Sequence, residues 1–404
     1  MYIYASIFLY TAVFSILESL GIERSIKTFG AVSAFFILFF IAGLRYETGV
    51  DWPEYYKMMD HANPLFTFAK DIASGYYSHD IDKGYVLLSS IVKTFGGGIQ
   101  TIYFIVSFFT LITLIKNLQY YTPNIALGIL LYYSTIFFLL DMSGMRQCIS
   151  LSFFIISLKY IAQRNFLKFF VVILIGASFH WSAYFTIPFY FLLTRTYSNR
   201  SAIIFMAFQL FIFFFKVRWL RSVLQLALPL LPNGKFFQKI FIYTNAVATA
   251  TPREMNLTTY INIFYIVSIF AILIVNRKRI STVVNNFNVF FNLFLFNSFF
   301  YLCTSELLDI SYRMQIYFSI SIIFILSALP YIFKERISKA FVTICVIFYC
   351  VSYSKSYIFH NETTIAYYPY QNYMISKMFN IKSNGKERID QHRRTHVKEG
   401  FIAD

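Results

Sequence analysis

Long, uninterrupted apolar blocks decide what this chain can fold into. They run at roughly residues 2–20, 29–44, 99–115, 124–140, 147–162, 167–180, 181–193, 201–217, 259–275, 287–303, 314–333 and 338–353. A helix needs about 20 apolar residues to cross a bilayer, and most of the blocks reach that length. Apolar residues run on without alternating, so the pattern is not that of a β-barrel. Only 13% of the residues are charged, where a soluble domain carries about 25%; too little polar surface remains to clothe a soluble globule. Phe (50) and Tyr (32) are abundant, the first suited to lipid tails and the second to the interface. The expected fold is an all-α, polytopic transmembrane bundle of about 11–12 spans. It should occupy residues 1–353, with external loops at 45–98 and 216–258. Residues 354–404 should form an interfacial segment and a basic tail, disordered beyond about residue 383. The first block lacks a basic leader and a small-residue cleavage site, so it is expected to be a retained helix.

Short loops set the orientation. Arg24 and Lys27, Lys159 with Arg164 and Lys168, Arg195 with Arg200, Arg277 to Arg279, and Lys334 with Arg336 and Lys339 mark turns expected on the cytoplasmic side. The formal net charge of +16 then reflects this positive-inside bias, and nucleic acid is not an expected partner. Placing both 159–168 and 194–200 inside forces a chain break near Ser178-Phe179-His180-Trp181-Ser182, either as two short helices or as a re-entrant hairpin. Irregular backbone at membrane depth is tolerated only when buried in protein or lining a cavity. The loop 216–258 departs from the rule. It carries Lys216, Arg218, Arg221, Lys235, Lys239 and Arg253 against Glu254, a basic surface suited equally to an anionic substrate or to anionic lipid heads. Tyr367-Tyr368-Pro369-Tyr370 has the look of an interfacial aromatic belt. Cys148, Cys303, Cys345 and Cys350 show neither CxxC spacing nor a nearby His, and read as small buried hydrophobes.

Four clusters could carry chemistry. In the stretch 43–56, Arg45 stands where a block leaves the membrane, and Gly49 allows a turn that brings Asp51 back towards it. In 141–147, Arg146 heads an inward-running helix; an interfacial anchor would look the same. His180 interrupts an apolar stretch, where a lone His is more often a packing residue than a catalyst, although the forced break favours function. Glu306, Asp309 and Arg313 form a further external turn. Arg45, Arg146 and Arg313 thus stand at external helix ends from distant parts of the chain. Arginine suits a pyrophosphate because it is always charged, planar and multiply donating, and such a set stabilises a departing diphosphate without a metal. The alternative is three unrelated side chains that snorkel to the interface.

Gly43-Leu44-Arg45-Tyr46-x-x-Gly49-x-Asp51-Trp52-x-x-Tyr55 resembles the signature of the EpsG family of bacterial polysaccharide polymerases. So do Met145-Arg146-Gln147 heading a helix, Ala177 to Ala183 around His180, Tyr312-Arg313, and Tyr368-Pro369-Tyr370-Gln371-Asn372. Together these pieces cover roughly 29–372 in order. Two positions depart from the pattern. Asp82-Lys83-Gly84-Tyr85 stands where a Glu-x-Gly-Tyr-like turn is usual, which weakens the case for an acidic role there, and Trp181 replaces a commonly polar residue. The resemblance implies a Wzy-type glycosyltransferase with a fold related to the GT-C enzymes, in the bacterial inner membrane. It would take a glycan on undecaprenyl pyrophosphate and transfer it to another lipid-linked repeat unit, with a chain-length regulator as an additional partner. Substrate binding then falls to Arg45, Tyr55, Arg146, Gln147 and Arg313, and catalysis to Asp51 as first choice of base and His180 as second. Inversion at the anomeric carbon is expected, with no metal or other cofactor. The rivals are an O-antigen ligase, a membrane O-acyltransferase using His180, and a flippase or transporter. A transporter should show internal repeats and midplane charges, and neither is evident here.

Overall fold

A computed structural model of the chain describes residues 2–73, 82–230, 253–358 and 362–398. Among these residues the structure is helical, and strand pairing is limited to an isolated bridge between Arg45 and Asn372. Seven helices are long and apolar enough to cross a membrane: Tyr2–Leu20, Arg24–Gly43, Ile99–Tyr121, Met145–Ala162, Leu257–Val275, Ile310–Ile332 and Arg336–Ile358. Asn199–Phe214 and Trp219–Leu226 form a pair bent by 87°, and Ile125–Phe137, Phe166–Phe179 and Phe287–Leu302 are shorter apolar helices. The chain is a multi-pass membrane protein. The shorter elements explain why a count from apolar blocks exceeds the count of long helices. A 14-residue helix such as Phe166–Phe179 spans only about 21 Å, less than the hydrocarbon thickness of about 30 Å.

The chain divides into two compact units, one of Met1–Ile187 with Ile323–Thr395, the other built on Pro188–Ile322. One end of the first unit is closed by a buried polar cluster. Asn124 caps the helix Ile125–Tyr132 through Leu127 N–H at 2.9 Å. The Glu18 carboxylate accepts from Ile125 N–H at 3.1 Å and Ala126 N–H at 3.0 Å, where the helix dipole favours an anion. Lys27 Nζ lies 2.6 Å from the same carboxylate, and Tyr331 donates to Glu18 O at 3.1 Å. Glu18→Ala strands two amides and removes the carboxylate partner of Lys27, which keeps its hydrogen bond to Pro123 O at 2.6 Å. The substitution should cost about 3 kcal/mol, read as a lower melting temperature in detergent.

The break expected near His180 is present. The helix Phe166–Phe179 ends with His180 in an extended conformation (φ −156°, ψ 116°), and a 3-10 turn follows at Trp181–Thr186. Two expectations are corrected. Tyr367 and Tyr368 are buried in protein (3% and 6% exposed) and form no interfacial belt: Tyr367 bonds Ser143 Oγ at 2.7 Å and Phe138 O at 3.1 Å. Residues 385–398 are a helix, not a disordered tail. They are stabilised by contacts to the loop after residue 43, too remote in sequence for composition to register. Of the four free cysteines, three are buried as expected, but Cys345 is exposed on the helix surface. Lys235 and Lys239 of the basic loop lie outside the described residues.

Candidate active site

At the other end of the first unit, the loop after the helix Arg24–Gly43 is built into the protein from all sides. Tyr46 N–H donates to Gln371 O at 2.9 Å and Tyr373 N–H to Leu44 O at 2.7 Å. The Gln100 amide donates to Gly43 O, and to Arg45 O at 3.3 Å. Gly49 turns the chain at φ +104°, a region that disfavours any side chain. Its N–H donates to Ala366 O at 3.0 Å, and Val50 N–H donates to Ser143 Oγ at 2.8 Å. Glu47 also sits in the left-handed region, at φ +46°, a conformation costing a non-glycine residue about 1 kcal/mol or more.

This scaffold carries Arg45 inwards. Arg45 is 1% exposed, so it is no interfacial snorkel. Its guanidinium donates to Ala42 O at 2.7 Å and lies 3.8 Å over the Tyr103 ring, a cation–π contact worth about 0.5–2 kcal/mol. Its Nε is buried and has no hydrogen-bond partner among the described residues.

Arg146 opens the helix Met145–Ala162. It donates to Asp82 Oδ2 at 3.0 Å, and its backbone N–H lies 3.4 Å from the Tyr55 hydroxyl. Among the described residues its Nε, like the Tyr85 hydroxyl and Trp52 Nε1, is buried and has no hydrogen-bond partner. The rings of Tyr55 and Tyr85 stand 5.4 Å apart. Both arginines act electrostatically on the Tyr85 phenol. Burial pushes the Tyr85 hydroxyl well above its ordinary range. Tyr55 is raised too, by burial first and by the Asp51 carboxylate second, against the opposing pull of Arg146. Both therefore remain neutral hydrogen-bond donors at any working pH. Asp51 is half-buried at the head of the helix Trp52–Asp60, within electrostatic reach of Tyr55 and Arg146.

His180 is brought to the same helices. The helix Lys83–Thr94 packs so closely on the end of Phe166–Phe179 that a Cβ on Gly84 would stand 2.8 Å from Ser178 backbone atoms. The His180 ring Nδ1 lies 2.6 Å from Ser182 Oγ, and Ser150, one turn beyond Arg146, donates to His180 O at 3.5 Å. Gln147, half-buried, follows Arg146 in the first helical turn. A cleft of about 460 Å³ opens nearby, lined by Tyr56, Asp60, Lys93 and Gly96 to Gly98 among others.

The first unit thus contains Arg45, Asp51, Tyr55, Arg146, Gln147 and His180, while Arg313 belongs to the second unit. There it is half-buried beside Tyr312. Arg253 of that unit has its guanidinium 3.9 Å over Tyr301 and 5.0 Å from Tyr312. Glu306 caps the helix Trp219–Ala227 by accepting from Leu220 N–H at 2.5 Å, and burial raises its carboxyl. Two residues of the first unit were missed from sequence. Asp82 departs from the usual pattern, which weakens the case for it in the sequence, yet it forms an ion pair with Arg146; an acid two residues before Gly84-Tyr85 is the available signal. Arg388 gave none.

A donor-rich, partly desolvated pair of arginines with neutral phenols and the carboxylates of Asp51 and Asp82 is equipped to hold a polyanion while a neighbouring hydroxyl loses a proton. No curated protein and no solved structure matches the chain. The family model described as the EpsG family matches residues 30–372. Most of the chain is covered, and the protein belongs to the EpsG family, whose members are Wzy-like polymerases.

Proposed function

We propose that the protein is a polysaccharide polymerase that transfers an undecaprenyl-pyrophosphate-linked glycan onto another lipid-linked repeat unit at the external face of the bacterial inner membrane. The observation that carries this reading is the pair Arg45 and Arg146, each with a buried Nε that no described residue engages, both within the residues matched by the family model.

In this mechanism the arginines neutralise the donor pyrophosphate, with Tyr55 and Tyr85 as neutral donors beside them. The acceptor hydroxyl attacks the anomeric carbon from the face opposite the diphosphate. The new C–O bond forms as the bond to the diphosphate breaks, and the configuration inverts. The electron pair leaves on the diphosphate, held by guanidinium groups with no metal required of the protein. The hydroxyl proton passes to Asp51, with His180 as the other candidate base. Gln147 and Arg313 are assigned to substrate binding, and the cleft beside Tyr56 suits a sugar ring. An aromatic face there is flanked by Asp60, Lys93 and open glycine backbone.

Asp51→Asn preserves shape and removes the base, and is expected to lower linkage formation about 10²- to 10⁴-fold. Rates with purified protein and lipid-linked repeat units test this. A wild-type rate in Asp51→Asn would move the base role to His180.

A further inference from the structure

The C-terminal helix Gly385–Lys398 lies beyond the matched residues 30–372, yet it is fastened to the loop that carries Arg45. Arg388 is 4% exposed. Its Nη2 donates to Glu47 O at 2.8 Å and Gln371 Oε1 at 3.0 Å, and its Nη1 to Pro369 O at 2.8 Å and Ala366 O at 3.4 Å. All four acceptors are neutral, so burial leaves Arg388 with its pKa lowered to about 10, still a cation at neutral pH. Gly385 fits against Glu47 so tightly that a Cβ would stand 2.4 Å from Glu47 Cβ and 2.8 Å from its carbonyl oxygen. Ser383 continues the seam by donating to Gln371 Oε1 at 2.8 Å.

The consequence falls on Arg45. Glu47 holds a left-handed conformation that a non-glycine residue keeps only when its surroundings impose it, and here Arg388 and Gly385 are the surroundings on one side. Among the described residues the Arg45 side chain is tied to Ala42 O and the Tyr103 ring, and its direction follows the backbone held at Leu44, Tyr46 and Glu47. A buried guanidinium bridging four acceptors in two remote segments suits such a clamp, because its fork of donors is planar and preorganised.

We propose that the C-terminal helix is a strap, with Arg388 a positioning residue that fixes the Arg45 loop for the pyrophosphate-handling step. This rests on the polymerase reading for its activity readout, but not for its structural one.

The test uses full-length protein in nanodiscs, as wild type, Arg388→Ala and Arg388→Lys, with a chain ending at residue 382 as a fourth form. Backbone hydrogen exchange is measured over 44–51 and over 147–158, together with turnover and KM for lipid-linked repeat units. The strap predicts that Arg388→Ala and the shortened chain exchange faster at Tyr46 and Gly49, with 147–158 unchanged. Turnover should fall about 10- to 100-fold, more than KM changes, and Arg388→Lys should recover part of it. Gly385→Ala should imitate the loss, and adding Glu47→Gly, which removes the opposing Cβ, should partly reverse it. Wild-type exchange and turnover in Arg388→Ala would overturn the strap. So would a loss that lysine does not mend and that spreads to 147–158, which would mark a general fold defect. Wild-type protein that forms no linkage would instead overturn the polymerase reading, and the exchange comparison would then decide the strap alone.

Discussion

Arg146→Ala is expected to lower glycan linkage formation about 10²- to 10³-fold, the range for removing one preorganised donor to developing negative charge. The protein should still accumulate in the membrane at the wild-type level. Arg146 is partly exposed, with 26% of its side chain accessible, and it forms an ion pair with Asp82. Little packing is lost with it, and Asp82, at 12%, keeps some access to solvent. What disappears is a cation whose Nη1 is anchored while its Nε remains open. Arg146→Lys should recover only part of the rate, since an ammonium is a point charge without the planar fork that grips a phosphate at two oxygens. Asp82→Asn keeps the cation and loosens its aim, so a smaller loss of about 10-fold is expected. Rates at matched protein concentration separate the three. A wild-type rate in Arg146→Ala would reduce the residue to a helix-end anchor.

Gly49→Ala is expected to remove activity by a different route, through the fold. At φ +104° any Cβ is strained, and here it would stand 2.0 Å from the Met142 carbonyl oxygen. That oxygen belongs to backbone next to Ser143, which holds Val50 N–H and bonds Tyr367. The chain cannot yield locally without undoing those contacts. A loss of about 3–5 kcal/mol is expected from strain and lost hydrogen bonds together, seen as a large drop in melting temperature and in membrane protein level. Ser143→Ala offers the milder comparison. It leaves Val50 N–H and the Tyr367 hydroxyl short of one partner, at about 1–2 kcal/mol. Equal melting temperatures for Gly49→Ala and wild type would show that the turn is not held as described.

The class of fold could be read directly, because a bilayer demands long continuous apolar helices and the blocks supply them. The interruption at His180 was also legible: charge placement required two crossings in a stretch too short for two full helices, and the helix does end at Phe179. Site residues were readable where they fall in one short segment, as Arg45, Asp51 and Tyr55 do. Their surroundings were not. Asp82 reaches Arg146 across 64 positions, and Arg388 reaches Glu47 across 341; no local period or composition reports such a contact. The tail looked disordered because it is polar and has no core of its own. Residues 385–398 are held by buried hydrogen bonds from Arg388 to backbone carbonyls elsewhere, a device that composition cannot register. Tyr367 and Tyr368 misled for a related reason: the aromatic residues of a membrane interface and those of a wedge inside the protein are the same residue types.

The most direct test of the central claim is the fate of lipid-linked repeat units offered to the purified protein in nanodiscs. The units would be taken from a strain deleted for this gene. The account predicts that the deleted strain accumulates single repeats on the lipid. It also predicts that the wild-type protein converts them to a ladder and releases one undecaprenyl pyrophosphate for each linkage formed. A deleted strain that fails even to attach or export single repeats, together with purified protein that builds no ladder, would contradict the account and point to a ligase or a flippase.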